Sequence, residues 1–315
     1  MIATDEAGYG PRLGPLVVAA TAWELQPGVP VESLDALRRP TAAPNGSPSI
    51  DDSKRVFKQG RSLDPIRRLI GGLLRDHGFA AVGGIEDLWT LAAVDGREAW
   101  PDWLRPDRTE PGGSGFDDAE PDEATMATQH GGDRPFRLAA MRIGILGAAT
   151  LNRRFHAGWN KADVMGQTCF GLIADGLSTV GSGDAVVVAD RHGGRKFYAG
   201  GISQVTSDAA VERLIETPRV SRYRSCHEGR TVEWEFIVKG DSFGPVAVSS
   251  LLAKLSREEL MERFNRWLRA AAERVGLDVP RPTAGYPQDA QRWLEETVTL
   301  RRQLNIDDEA LIRWR

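Results

Sequence analysis

Apolar residues along this chain fall into short runs that alternate with stripes at helical spacing. The first run, Ile2-Ala3-Thr4, stops at Asp5 and Glu6 and enters a glycine turn, Ala7-Gly8-Tyr9-Gly10-Pro11. The largely apolar stretch from Leu13 to Trp23, bounded by that turn, predicts a second buried strand. Pro27 to Pro48, rich in Pro, Ala and Ser, reads as a connecting excursion, and Ile66 to Leu74 has the spacing of an amphipathic helix. Phe79 to Gly84 predicts another strand. Arg142 to Gly147 is either a short strand or part of a buried helix, because so short a run does not separate the two. Lys161 to Leu177 predicts a helix, and Val186-Val187-Val188-Ala189 a strand that ends at Asp190. Glu233 to Val238 is a further strand leading into Lys239-Gly240-Asp241-Ser242. A long helix begins near Pro245, whose missing N–H needs no partner in a first helical turn, and another starts near Gln288. Strands alternating with helices argue for an α/β domain.

Composition changes this picture little. Hydrophobic content of 41% and charged content of 27% over 315 residues belong to an ordinary globular chain with a sizeable core. No basic, apolar and small-residue leader opens the sequence and no run approaches membrane-spanning length, so a cytoplasmic protein without a membrane partner is expected. Cys169 and Cys226 have no metal-type spacing and read as reduced residues. The formal net charge is -4, yet residues 101–135 hold nine acids against three arginines. That segment, with Glu110-Pro111-Gly112-Gly113-Ser114-Gly115 at its centre, reads as a disordered acidic insertion, and the remainder is mildly basic, which tolerates a polyanion without requiring one.

The chemistry starts at Asp5 and Glu6. Acids at the end of a buried strand are costly unless compensated, and a divalent cation is the usual compensation. Successive strand residues face opposite ways, so Asp5 and Glu6 need a local break to share a site, and Gly8 and Gly10 are placed to supply it. An ordinary hairpin with a solvated acidic tip is the competing reading. Phosphodiester hydrolysis by two metal ions needs several acids converging on one point. Asp5 and Glu6 end one strand, Asp190 ends another, and Glu258 lies on the helical face of Leu251 and Leu255. From periodicity alone a change of apolar face after Ser256 accounts for Glu258 slightly better, since Leu260, Met261, Phe264 and Trp267 define a different stripe.

Asp5-Glu6-Ala7-Gly8-Tyr9-Gly10-Pro11-Arg12-Leu13-Gly14-Pro15 resembles the signature that opens ribonuclease HII. Asp52-Ser53-Lys54 resembles the next motif of that family. Lys239-Gly240-Asp241-Ser242 with Ser249 to Met261 resembles its lysine-glycine-aspartate segment and following helix, and Gly285-Tyr286-Pro287 its glycine-tyrosine turn. The motifs come in family order and span positions 5 to 287.

The resemblance implies a ribonuclease H-like α/β fold with a mixed central β-sheet flanked by helices, over residues 1–275, followed by a helical C-terminal segment over 276–315. It implies a metal-dependent endoribonuclease, using two Mg²⁺ or Mn²⁺ ions, that hydrolyses the RNA strand of RNA/DNA hybrids or cuts at ribonucleotides embedded in duplex DNA. Asp5, Glu6, Asp190 and Glu258 would be both catalytic residues and metal ligands. Glutamate at the last position is more like the sister ribonuclease HIII. Gly8, Tyr9 and Gly10 would read the ribose 2′-hydroxyl through backbone groups, the feature that separates RNA from DNA. Tyr9 stands where the family places arginine or lysine, so a cation that would hold phosphate is missing. Tyr286 would stack on the sugar beside the scissile bond, its plain alternative being a packing residue ahead of a helix. Lys54 and Lys239 would contact phosphates. Arg195 and Lys196 read as solvated, His192 as structural, and Ser242 or Asp241 as a helix cap. A monomer is expected. Two rival readings remain: a nuclease of the same fold acting on DNA, and a hybrid- or RNA-binding homologue that has lost turnover, motivated by Tyr9 and Glu258.

Overall fold

The computed structural model describes residues 1–38, 50, 56, 62–79, 81–92, 116, 134–207 and 209–314. Strand β1 (Ile2–Ala7) pairs antiparallel with β2 (Leu16–Leu25) without interruption from Ile2↔Ala22 to Ala7↔Val17. Next to β2 lies β3 (Phe136–Leu146), also antiparallel. On the other side of β1, β4 (Ala185–Asp190) runs parallel to it. The strands β5 (Val211–Glu216), β6 (Val220–His227) and β7 (Arg230–Ile237) form an antiparallel meander whose last strand lies parallel to β4. The sheet order is β3-β2-β1-β4-β7-β6-β5, the mixed central sheet expected from the sequence.

Helices cover both faces. Those before β7 are α1 (Asp64–Asp76), α2 (Ile85–Leu91), α3 (Ala148–His156), α4 (Lys161–Thr179) and α5 (Ala199–Val205). After β7 come α6 (Gly244–Arg274), α7 (Pro287–Glu296), α8 (Val298–Gln303) and α9 (Asp308–Leu311). Alternation along β1 assigns its residues to two cores. Ala3 joins the cluster under α6 with Val17, Ala19, Val248, Leu251 and Leu252. Ile2 joins the cluster under α4 with Val18, Cys169, Ile173 and Val187. Helix α6 sits close on the sheet because small hydroxyl residues face it: Ser249 Oγ donates to the Ala3 carbonyl at 3.1 Å and lies 3.0 Å from Thr21 Oγ1.

One expected strand takes another form. Phe79 to Gly84 is not a strand: the chain reverses after α1, where the Phe79 N–H donates to the Leu74 carbonyl at 2.8 Å and the Val82 N–H to Phe79 at 3.1 Å. Arg142 to Gly147 belongs largely to the eleven-residue β3. The β5–β6 hairpin has no apolar run to announce it, because its buried positions include Ser221 and Ser225 alongside Tyr223 while Arg222 and Arg224 face out. Of residues 101–135, Phe116 is buried at 2% exposure and its N–H donates to the Gly83 carbonyl. The disorder expected for most of that segment lies outside the described residues, as does the Asp52-Ser53-Lys54 motif.

The C-terminal segment shares the core of the sheet. Trp293 of α7 is fully buried with its ring centroid 5.2 Å from that of Phe264 on α6, and Leu294, Leu300 and Leu311 belong to the same apolar cluster. Among the described residues no helix is long and apolar enough to cross a membrane. Trp293→Ala is therefore expected to destabilise the whole molecule by about 3–5 kcal/mol in one cooperative denaturant transition. A separate early transition with the main one unmoved would show that residues 276–315 fold apart from the sheet.

Candidate active site

Asp5 and Glu6 lie on consecutive positions of an unbroken strand. Their pairing partners are Ala19 and Val18, so no local break brings them together, contrary to the expectation from Gly8 and Gly10. Asp5 points to the α6 side, where Ser250 hydrogen-bonds it; Glu6 follows Thr4 toward α4, where Thr4 Oγ1 lies 3.1 Å from Cys169 Sγ. Divergence of the strands makes convergence possible. The last β1–β4 pair is Thr4↔Ala189, one residue short of Asp5 and Asp190, so both acids stand where the two parallel strands part at their carboxyl ends. That opening is the usual place for a ligand on an open α/β sheet.

Asp190 is fixed by the segment after β7. Its Oδ1 accepts from the Gly240 N–H at 2.8 Å. Residue 240 must be glycine, because a Cβ there would stand 3.0 Å from both the backbone N and the Cα of Asp190. Lys239, in the left-handed region at φ 63° and exposed, turns the chain just ahead of Asp241, whose charge acts on Asp5.

The electrostatics identify the members of the cluster. Desolvation, then the charges of Asp190 and Asp241, push the Asp5 carboxyl up to about 7 against the Ser250 hydrogen bond and the Glu6 N–H that oppose them. Burial raises Glu6 well above the ordinary glutamate range, with Asp5 and Asp190 adding to the effect. Asp5 and Glu6 reach each other around the strand edge, and both are short of positive charge.

Glu258 is not brought to this cluster. Its Oε1 accepts from Lys254 Nζ at 2.9 Å and from Arg257 Nη1 at 2.7 Å. Eight residues separate it from Ser250, about 12 Å along a helix. Asp241 instead acts on Asp5. The sequence signal for Asp241 was its place in Lys239-Gly240-Asp241, directly after a strand parallel to the one carrying Asp190. A capping role is a plausible reading of any aspartate just before a helix, and it hid this one.

The remaining residues fall around the turn. Gly8 has φ 85°, and a Cβ there would come within 2.6 Å of Arg257 Nε and the Pro15 carbonyl. Tyr9 turns toward the loop after β4, with Lys161 Nζ 5.3 Å from its ring centre, while Gly10 is exposed. Tyr286, 40% exposed, is brought alongside because the Arg12 and Leu13 N–H groups donate to the Gly285 carbonyl at 2.8 and 3.2 Å. The guanidinium carbon of Arg257 lies 5.6 Å from the Tyr286 ring centre. Arg195 is engaged by Asp163. His192 is buried edge-on among Phe170, Tyr198 and Phe236, and burial drives its imidazole down to about 3, so it is neutral here.

The donor set suits a hard divalent cation: four carboxylates, two of them raised by burial and mutual repulsion, with no lysine or arginine paired to Asp5, Glu6 or Asp190 among the described residues. Among the described residues no three of these side chains stand grouped closely enough to hold a metal ion as they are placed.

No family model matches the chain, and no curated protein matches it. Among solved structures it is similar to RNase HII of Archaeoglobus fulgidus, from a complex with PCNA, at 16% identity over 100% of this chain and 93% of that one, with a TM-score of 0.44. It is also similar to ribonuclease H2 of Pyrococcus horikoshii OT3, at 13% identity over 98% of this chain and 100% of that one, with a TM-score of 0.41. A third similar structure is Bst-RNase HIII in complex with Mn²⁺, at 14% identity over 99% of this chain and 65% of that one, with a TM-score of 0.41. These likenesses are distant, and the site stands on its own geometry.

Because the Asp5 carboxyl is raised from 3.8 to about 7, the folded state holds more protons than the unfolded chain between those values, and stability falls as pH rises through them. In metal-free buffer at pH 8, Asp5→Asn is expected to stabilise the protein by about 1–2 kcal/mol, and the gain should vanish by pH 4. Urea unfolding across that range measures it, and a variant less stable than the parent at pH 8 would contradict the raised carboxyl.

Proposed function

We propose that this protein is a metal-dependent endoribonuclease that hydrolyses the RNA strand of RNA/DNA hybrids or cuts at ribonucleotides embedded in duplex DNA. The observation that carries the reading is the placing of Asp5 and Asp190 where β1 and β4 part, next to a glycine turn, with Glu6 acted on by both and Asp241 acting on Asp5. The ordered motifs resembling ribonuclease HII support the substrate class.

Asp5 and Asp190 hold the cations, with Glu6 and Asp241 completing the carboxylate set. Mg²⁺ or Mn²⁺, when bound, supplies Lewis acidity at the scissile phosphate and lowers the pKa of water. The protein's own groups orient the duplex. Gly8, Tyr9 and Gly10 present backbone groups to the 2′-hydroxyl, and the half-exposed Tyr286 ring lies alongside for a sugar. Lys239, exposed beside Asp190, contacts a phosphate, and Lys54, outside the described residues, is proposed for the same role. Of the two departures that motivate a homologue without turnover, Glu258 loses its force, since Asp241 supplies the fourth carboxylate.

Asp5→Asn, Asp190→Asn and Asp241→Asn should each lower cleavage of a hybrid by about a thousandfold or more while the fold is kept, since each removes charge at nearly constant volume. Glu258→Gln should keep activity within about tenfold. Matched hybrid, single-ribonucleotide and all-DNA duplexes provide the assay. Cleavage of the all-DNA duplex as fast as the hybrid would reject the substrate, and full activity in Asp190→Asn would reject the site.

A further inference from the structure

The glycine turn lacks the cation between its two glycines, yet the structure puts positive charge directly beneath it. Arg313, just past α9, is 1% exposed. Its guanidinium donates to three carbonyls of the turn: Nε to Gly14 at 2.7 Å, Nη1 to Pro11 at 3.2 Å, and Nη1 also to Gly8. Its backbone N–H donates to the Arg12 carbonyl at 2.9 Å, and Ile312 forms a β-bridge with Leu13. The segment is anchored from behind by Asn152, whose Nδ2 donates to the carbonyls of Glu309 and Ile312 and whose Oδ1 accepts from Trp314 N–H.

Burying a guanidinium is costly, and here no carboxylate pairs with Arg313 among the described residues. A second guanidinium, Arg257, lies under Gly8; burial first, and then the charge of Arg257, depress Arg313 to about 9. Arg313 in turn acts on Lys161, above the Tyr9 ring. Against these three cations stands Glu258, already shared between Arg257 and Lys254. Carbonyl oxygens satisfy the donors of Arg313 without neutralising it, so its charge stays beneath the turn.

We infer that Arg313 is a positioning residue for nucleic acid: it fixes the backbone of Gly8 to Gly14 and supplies, from below, the attraction for a phosphate that Tyr9 cannot supply from within the turn. The inference deepens the reading of the turn as the hybrid-binding element and rests on it for the ligand, an RNA/DNA duplex.

The test is binding rather than cleavage. Dissociation constants for a fluorescent RNA/DNA hybrid are measured by anisotropy without divalent metal across a salt series, for the parent, R313M, R313K and the double variant Y9R/R313M. R313M should bind about tenfold more weakly, with a salt slope shallower by about 1, and Y9R should restore most of both because it returns a cation to the turn. The rise in melting temperature on adding Mn²⁺ should be the same in R313M as in the parent, since Arg313 does not touch the carboxylates. If R313M does not fold, R313K decides: its compact ammonium keeps the charge but lacks the planar fork that spans the carbonyls of Gly8, Pro11 and Gly14, so binding should stay within about threefold while amide exchange over residues 8–14 speeds up. Binding by a folded R313M within twofold of the parent, failure of Y9R to restore binding, or unchanged exchange in R313K would each overturn the inference. Loss of cleavage by the parent with these binding results intact would overturn the proposed reaction and leave the role of Arg313 standing.

Discussion

The structure turns on the burial of carboxylates where two parallel strands part. Ending β1 and β4 in acids is unfavourable for the isolated fold, because desolvation and mutual repulsion keep Asp5 and Glu6 from ionising at their ordinary values. The surrounding elements hold the acids in place regardless. Helix α6 lies close enough to β1 for Ser250 to bond Asp5, and the turn after β7 lays a glycine N–H on Asp190 and brings the charge of Asp241 to bear on Asp5. Strain of this electrostatic kind is relieved by a cation, and it therefore marks a functional site more sharply than any single motif does.

A second charge pattern mirrors the first. A few residues away, under the glycine turn, buried positive groups outnumber their partners: Arg257 and Arg313 lie beneath Gly8 to Gly14 with Glu258 as the nearby acid. Negative excess at the strand ends and positive excess below the turn suit a substrate that is a polyanion and is cut with the help of cations. Glu258, whose position on the helix drew attention as a ligand, works on the positive side of this arrangement, holding Arg257 and Lys254.

Much of the fold was legible from periodicity. The strands at β1, β2, β4 and β7 and the helices at α4 and α6 carry clear apolar runs or stripes, whereas the parallel pairing of β1 with β4 is seen only in the structure. The β5–β6 hairpin was not legible, because serines occupy inward positions where an apolar residue would have signalled a strand. Phe79 to Gly84 misled for the opposite reason: its apolar residues pack as a turn closing α1. In the site, strand-end acids were readable one by one, whereas the choice between Asp241 and Glu258 depended on distance along a helix and on a three-residue turn. Arg313 carried no sequence signal, since its role comes from a tail folding back across some three hundred positions of chain.

The central claim is that Asp5, Glu6, Asp190 and Asp241 together form the site for the catalytic cations. Anomalous diffraction from crystals soaked in Mn²⁺ tests it most directly. The account predicts a manganese peak bounded by the carboxylates of Asp5 and Asp190 with Asp241 in reach. A peak held by Glu258, or none between the ends of β1 and β4 at saturating Mn²⁺, would contradict it.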